Sequence, residues 1–521
     1  MIRVGIDVGG TNTDAVVMRG REVLHGVKTA TTADVMSGVV QALREVVAGA
    51  GVTQHDIAAV MIGTTQFTNA LVERRRLAPV GVIRLGLPAT SGLPPGSDWP
   101  QDMLAAVPLH TRLAQGGYEY DGKTLGTLDA DEIRRYAREF ASAGLRHIAL
   151  SCTFSILNDE QERQAAAWVQ EVMPEAQITC SSQIGRLGLL ERENAAILNA
   201  SLGPLGQEVV AAFQQALQDS GIQAPFYLTQ NDGTLMSAEQ AARFPILTVA
   251  SGPTNSMRGA AFLSGLKDAI VVDIGGTTSD VGVLQAGFPR QAGVAVEVGG
   301  VRTNFRMPDV YSLGLGGGSR VSADFQRLGP QSVGYAIHTE ALVFGGSTTT
   351  ATDIAVAAGV ARLGDASRLQ HLPAEDVKNC YARLQQMVWL AVERMRTSAQ
   401  DIPVVVVGGG SILLRPELQG LTLVVPPHFG CANAVGAAMA QVSGEVDRVL
   451  RLDEIPRDEA ITQVRAAAEA KAVQAGADAA SLAVIDIEDT PLAYISGNAT
   501  RIRVRVVGDL RGDLTAKEQA A

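Results

Sequence analysis

The strongest constraint on this chain is that it repeats itself. Residues 4–18 (VGIDVGGTNTDAVVM) and 270–284 (IVVDIGGTTSDVGVL) align Asp7 with Asp273, Gly9-Gly10 with Gly275-Gly276, Thr11 with Thr277 and Asp14 with Asp280. The two segments stand about half of the 521 residues apart. Each reads as a β-branched strand, a Gly-Gly-Thr turn and a second short apolar strand, because apolar residues resume at once with no helical spacing. A hairpin excludes the dinucleotide fold and the P-loop, whose glycine turn must open a helix. Two similar lobes facing one another is the predicted architecture.

The turns have a chemistry of their own. Glycine lets successive N–H groups approach a ligand without a Cβ, so that they converge on phosphate oxygens. Thr11, Asn12, Thr13, Thr277, Thr278 and Ser279 add hydroxyl or amide donors. The carboxylates Asp7 and Asp273 just before the turns would repel a bare phosphate. A hydrated Mg²⁺ bridging carboxylate and phosphate removes that conflict, so Asp7 and Asp273 are the candidate metal-holding and catalytic residues of a nucleotide site.

Composition limits the alternatives. Hydrophobic residues at 46%, charged at 19% and 55 glycines fit a large α/β core better than an all-helical or disordered chain. A net charge of −11 offers no basic field for nucleic acid or an anionic membrane. Cys152, Cys180, Cys380 and Cys431 form no C-x-x-C pair and share no motif with the seven histidines. With no signal-peptide pattern and no long apolar run, a reduced, cytoplasmic protein is expected. His338, Glu340 and Asp309 make a poor transition-metal set.

The paired DVGGTNTD and DIGGTTSD segments resemble the phosphate loops of the actin, sugar kinase and heat-shock ATPase superfamily. Further segments are similar to the hydantoinase A / oxoprolinase family within it: GTTQFTNALVERR (63–75), QNDGTLMSAEQAARFPILTVASGP (230–253), MPDVYSLGLGGGS (307–319) and TTTATDIAVAAG (348–359). The resemblance covers roughly residues 2–440 and reads as a short form without the long C-terminal extension. The first loop has Asn12 where the family usually has Phe, and the stretch after Gly329 lacks the Cys-containing pattern of long members.

The resemblance implies a duplicated, two-lobed actin-like ATPase (ribonuclease H-like) α/β fold with ATP and Mg²⁺ in the interlobe cleft. It also implies an ATP-dependent enzyme opening a cyclic amide such as a hydantoin or 5-oxoproline by carbonyl phosphorylation, with a second subunit of the hydantoinase B type or another hydrolytic partner. A carboxylase subunit for ketones, a small-molecule kinase and a non-catalytic ATP-gated switch are the alternatives. With the superfamily resemblance, Gly408, Gly409, Gly410 and Ser411, after the apolar run 404–407, become the adenosine-site candidate.

Along the chain, one lobe is expected over 1–185, with a weakly periodic excursion near 84–129, and a second over 186–450. Residues 451–521 would supply a helix and strands packing back on the body. Helices are predicted at 34–48, 66–76, 186–218, 375–399, 432–444 and 457–483. Thr64, Thr65 and Asn69, where a strand meets a helix, are substrate or phosphate candidates. So are Gly316 and Gly317 in the glycine run 314–319. Gly117–Thr124 (GYEYDGKT) satisfies the P-loop pattern, but no apolar strand precedes it and Glu119 and Asp121 stand where phosphate would sit, so a turn between short strands is expected.

Overall fold

A computed structural model describes residues 1–10, 12–30, 35–120, 122–293, 295–397, 402–493 and 497–512. The repeat forms two hairpins in two different sheets. Ile2–Val8 pairs antiparallel with Asn12–Arg19, Asp7 opposite Asp14. Ala269–Ile274 pairs with Ser279–Gln285, Asp273 opposite Asp280. Both turns close alike, Gly9 N donating to the Asn12 carbonyl at 3.0 Å and Gly275 N to the Thr278 carbonyl at 2.9 Å. Each hairpin has a parallel strand on one side and an antiparallel third strand on the other. These are Ile57–Thr64 and Glu22–Ala30 for the first, Val404–Val407 and Val310–Leu313 for the second. The strands at the centre are apolar almost throughout because both faces are covered.

The first sheet has nine strands and draws on distant parts of the chain. Outward from Ile57–Thr64 it continues through Phe226–Thr229, Thr234–Ser237, Gln441–Arg451, Ala499–Gly508 and Ala483–Pro491. Sheet membership therefore runs across the boundary expected at 185/186. The amphipathic pattern 186–218 is two helices, Leu189–Ser201 and Gly203–Asp219, which meet at Leu202-Gly203-Pro204. Ala195, Leu198, Leu205, Val209 and Phe213 from these helices join the core under the first hairpin, so the pair stays with the first sheet instead of crossing to the second.

Residues 84–129 hold regular structure. The second half of Val80–Leu87, the helix Gln101–Ala106 and Leu109–Gln115 lie within that stretch. The two strands form a four-stranded parallel sheet with His147–Cys152 and Gln177–Cys180. The partly exposed, mixed sequence of Leu109–Gln115, on the sheet edge, hides its period. Helix 34–48 is found at Val35–Ala50, its predicted first residue Asp34 lying outside the described residues. The helix expected over 432–444 stops at Ala438, and 441–451 (QVSGEVDRVLR) is a long alternating strand. That expected over 457–483 ends at Gln474.

Two helices lie between the sheets. Ser251–Ser264 packs Met257 and Ala260 against Val271 and Val405 of the second sheet, and Ala432–Ala438 sets Ala434, Val435 and Ala438 on Val16 and Met18 of the first. They cross at two glycines. A Cβ on Gly259 would stand 1.8 Å from the Ala432 carbonyl oxygen, and one on Gly436 1.8 Å from that of Asn255. The contact is reciprocal, as expected of a two-fold relation between the halves, and only glycine permits it. Among the described residues, no helix is long and apolar enough to cross a membrane.

Candidate functional site

The first hairpin ends in a cluster of buried polar groups. Asp7 and Asp14 are each almost wholly buried and lie opposite one another in the ladder. Asn255 Nδ2 donates to Asp7 Oδ1 at 3.0 Å and to Thr229 Oγ1 at 3.0 Å. Asn433 Nδ2 donates to Asp7 Oδ2 at 3.0 Å and to Asp14 Oδ2 at 2.8 Å. Each crossing helix thus contributes one amide to the same carboxylate. Lys28, on the third strand, stands 2.5 Å from Asp14 Oδ1.

Burial pushes the Asp7 carboxyl up to about 6, aided by Asp14 and Asp273 and opposed by the two asparagine amides. Asp273 is raised as well, chiefly by burial, and the Ser256 hydroxyl and Lys28 act against the rise. Asp280 is pushed up to about 6 by burial and by Asp273, against the hydrogen bond from Ser312. Asn255 and Ser256 are consecutive residues of the helix Ser251–Ser264, the first bonded to Asp7 and the second to Asp273, so one helix ties the two hairpin ends together.

Gly10 is exposed, with no atom within 4 Å of a would-be Cβ, and Gly276 is half-buried, its carbonyl accepting from Gly318 N at 2.8 Å. Asn12 and Thr13 begin the return strand of the first hairpin, and Thr277 and Thr278 complete the second turn. Thr11 lies outside the described residues. Thr64 is the ladder partner of Val8, and Thr65 N donates to the Val8 carbonyl at 3.2 Å, so both border the first turn. Asn69 is exposed on the following helix, Gln66–Glu73.

The other glycine runs gather at the second hairpin. Gly317 N donates to the Gly275 carbonyl at 3.0 Å, and a Cβ on Gly316 would meet the Gly276–Thr277 peptide at 2.6 Å. Thr352 Oγ1 donates back to the Gly317 carbonyl at 2.9 Å. Gly408, at φ +85°, ends the strand beside Asp273, where a Cβ would stand 2.2 Å from Asp273 Oδ1. Gly410 packs on Ile274, and Ser411 closes the loop back to Gly408. Apart from Thr11, the nominated residues therefore fall into two groups, one around each hairpin.

Asn255, Ser256 and Lys28 were not singled out by the sequence reading, and Asp14 and Asp280 were aligned without a role. A second repeat could have found the helix residues. Ser256-Met-Arg-Gly-Ala-Ala261 and Asn433-Ala-Val-Gly-Ala-Ala438 share Gly-Ala-Ala, and the first residue of each faces a hairpin aspartate.

Other motifs resolve elsewhere. Gly117–Thr124 is a turn, Tyr118 bridging Thr124 and Glu119 N donating to the Lys123 carbonyl at 2.8 Å, with Asp121 outside the described residues. Glu340 pairs with Arg320 and Asp309 with Arg290, away from one another. The four cysteines are free thiols, and burial pushes Cys180 up to about 12 and Cys431 to about 11.

No group of three or more His, Cys, Asp or Glu side chains suited to a metal is found among the described residues. Mg²⁺ does not require one, since it keeps several waters and takes one or two carboxylates plus phosphate oxygens. Asp7 and Asp273 fit that requirement, as two hard, acceptor-only groups whose burial a dication would offset.

Two sheets, each with the same hairpin and with crossing helices between them, define a two-lobed, duplicated actin-like ATPase fold. A solved structure of an ATP-dependent caprolactamase from Pseudomonas jessenii matches 98% of this chain and 88% of its own (TM-score 0.76, 19% identity). A nucleotide-free acetone carboxylase matches the same shares (TM-score 0.67, 18% identity). Residues 3–173 match the hydantoinase/oxoprolinase N-terminal region and residues 192–365 the hydantoinase/oxoprolinase region. The chain belongs to the hydantoinase/oxoprolinase family.

Among curated relatives, it is 26% identical over 422 residues to the caprolactamase subunit alpha of Pseudomonas jessenii, covering 75% of this chain and 60% of that one. To the acetophenone carboxylase gamma subunit of Aromatoleum aromaticum it is 27% identical over 395 residues, covering 68% and 53%. The chain thus spans between half and two thirds of these two relatives' lengths.

Proposed function

We propose that this chain is the ATP-dependent subunit of an enzyme that activates the carbonyl of a cyclic amide by phosphorylation, preparing the ring for opening. The observation that carries the reading is the pair of matched glycine hairpins, each led by an aspartate and joined through the helix whose Asn255 and Ser256 reach those two aspartates. The family, and the lactam-acting relative, supply the substrate class.

An amide carbonyl is a poor electrophile because charge builds on an oxygen with no way to leave. Phosphorylation turns that oxygen into a leaving group. In the step proposed, the carbonyl oxygen forms a bond to the γ-phosphorus as the bond to ADP breaks. Water then adds to the activated carbon, the C–N bond breaks as the nitrogen takes up a proton to leave an acyl phosphate, and a second water hydrolyses that to the carboxylate and free phosphate. The backbone N–H groups at Gly10, Gly276 and Thr277 hold phosphate oxygens, Gly9 and Gly275 shape the turns that their own N–H groups close, and Asn12, Thr13 and Thr278 add side-chain donors. Asp7 and Asp273 would hold Mg²⁺, which supplies charge neutralisation for the transferring group. Asn255 and Asn433 keep the Asp7 carboxylate oriented. Gly408–Ser411 approaches the nucleoside, and Thr64, Thr65, Asn69, Gly316 and Gly317 border the substrate. The water-adding step belongs to a partner subunit, in keeping with relatives that are themselves subunits. A cytoplasmic setting, where ATP is supplied, goes with this reading.

Carboxylation of a ketone is the second reading, favoured by the acetophenone carboxylase relative. Both are tested by ADP release in a screen of hydantoins, 5-oxoproline, larger lactams, and ketones with bicarbonate, with and without the neighbouring gene products. Stimulation by a cyclic amide supports the first reading and stimulation by a ketone with bicarbonate the second. Phosphate-ester formation by the chain alone would point to a kinase, and no stimulation at all to an ATP-gated switch.

A further inference from the structure

The two hairpins match residue for residue, but their third strands do not. Opposite Asp14 in the ladder stands Lys28, and the corresponding position opposite Asp280 is Ser312. Both partners engage: Lys28 Nζ lies 2.5 Å from Asp14 Oδ1, and Ser312 Oγ donates to Asp280 Oδ1 at 2.5 Å. The same place in the repeat is thus filled by a full positive charge on one side and by a neutral hydroxyl on the other.

Four carboxylates, Asp7, Asp14, Asp273 and Asp280, stand in the two hairpins. Among the described residues no ion pair reaches Asp7, Asp273 or Asp280. Lys28 is the cation placed against this group, its field extending from Asp14 to Asp273 on the second hairpin. A polyphosphate entering such a site adds about three to four negative charges, of which one divalent cation cancels two. A fixed cation on the protein is what the charge balance still lacks.

Lys28 is built to supply it. Its ammonium has three donors, and Asp14 Oδ1 is the carboxylate oxygen paired with it. The side chain is 38% exposed, so the charge is accessible to a ligand, whereas Asp14, at 5%, is not. The anchor is rigid as well. Asn433 holds Asp14 Oδ2 and Asp7 Oδ2 together, tying the lysine's partner to the crossing helix and to the head of the hairpin. An ordinary surface pair carries no such second tie and contributes little.

We propose that Lys28 is a polyphosphate-binding residue, holding the anionic tail of the nucleotide on the first-hairpin side while the second hairpin relies on hydroxyls, backbone N–H groups and the metal. The inference rests on the reading that a nucleotide binds this cleft, and it makes the twin site asymmetric.

Isothermal titration with Mg·ATP, Mg·ADP and adenosine separates a ligand-binding lysine from one that merely neutralises Asp14. Lys28→Gln is expected to weaken Mg·ATP about tenfold or more, Mg·ADP less, and adenosine hardly at all, with Lys28→Arg keeping most of the affinity. The double variant Asp14→Asn/Lys28→Gln removes both charges together. If Lys28 serves only Asp14, the double variant regains wild-type preference for Mg·ATP over adenosine, and the proposal is overturned. If the preference stays low in a double variant whose melting temperature matches that of the wild type, the proposal stands. Wild-type affinity for Mg·ATP in Lys28→Gln would overturn it while leaving the nucleotide site intact. Failure of the wild-type protein to bind any of the three probes would remove the nucleotide reading itself, and Lys28 with it.

Discussion

The first hairpin is braced by amides and a cation, the second by hydroxyls. Asp7 is held by Asn255 and Asn433 and its ladder partner by Lys28, whereas Asp273 faces Ser256 and Asp280 faces Ser312. The backbones are the same in register and in turn closure. Duplication therefore fixed where the carboxylates stand, and the side chains set around each copy diverged in chemistry. The first half is a stiff, partly neutralised platform. The second, with no cation paired to Asp273 or Asp280 among the described residues, depends more on what enters the site.

The largest effect tests whether both halves are needed. Asp7→Ala and Asp273→Ala are each expected to lower ATP-dependent turnover by about a thousandfold, about 4 kcal/mol of transition-state stabilisation, with circular dichroism unchanged. A loss confined to one variant would mean that a single hairpin carries the phosphates. The crossing comes next. Gly259→Val and Gly436→Val should each cost about 3 kcal/mol or more in urea unfolding, because the new side chain meets a carbonyl oxygen that cannot retreat. Markedly unequal losses would show that the helices do not share the contact evenly.

Acidification gives a smaller effect of defined sign. The Asp7 pKa is about 6 in the folded chain against 3.8 for the unperturbed group, so the folded state binds the proton more tightly than the unfolded one. The resulting stability is present below about pH 4 and is lost as the pH rises through 6. Between pH 7 and 5 the ligand-free protein should gain about 1 kcal/mol from this residue, a gain absent in Asp7→Asn, as read from melting curves of both proteins. The smallest effect is that of Ser312→Ala. Removing one partly exposed hydrogen bond to Asp280 should cost about 1 kcal/mol in denaturant unfolding at neutral pH. An effect several times larger would make the hydroxyl a structural equal of Lys28 and narrow the difference between the halves.

Much of this was legible before any coordinates. The residue types from Asp7 to Asp14 and from Asp273 to Asp280 specify a strand, a glycine turn and a strand, and their matching specified two lobes. The P-loop pattern at Gly117–Thr124 could be set aside because Glu119 stands where phosphate would sit and no helix opens from it, although a strand too polar to register, Leu109–Gln115, does precede it. The substitution of a four-stranded parallel sheet for the expected excursion at 84–129 was not legible. Its edge strand, Leu109–Gln115, alternates too weakly to register. Nor was the adherence of 189–219 to the first sheet, since an amphipathic helix declares that it has an apolar face and not which sheet covers it.

Local sequence determined the hairpins, the carboxylate before each turn and the glycine runs, because turn geometry and strand period depend on neighbouring residues alone. Tertiary structure alone decided that Asn255, 248 residues from Asp7, and Asn433, 426 residues from it, would share its two oxygens, and that Lys28 would face Asp14 across a strand pair. Hydrogen bonds and charges act over a few ångströms of space, and chain separation carries no record of that distance until the sheets and the crossing helices have packed.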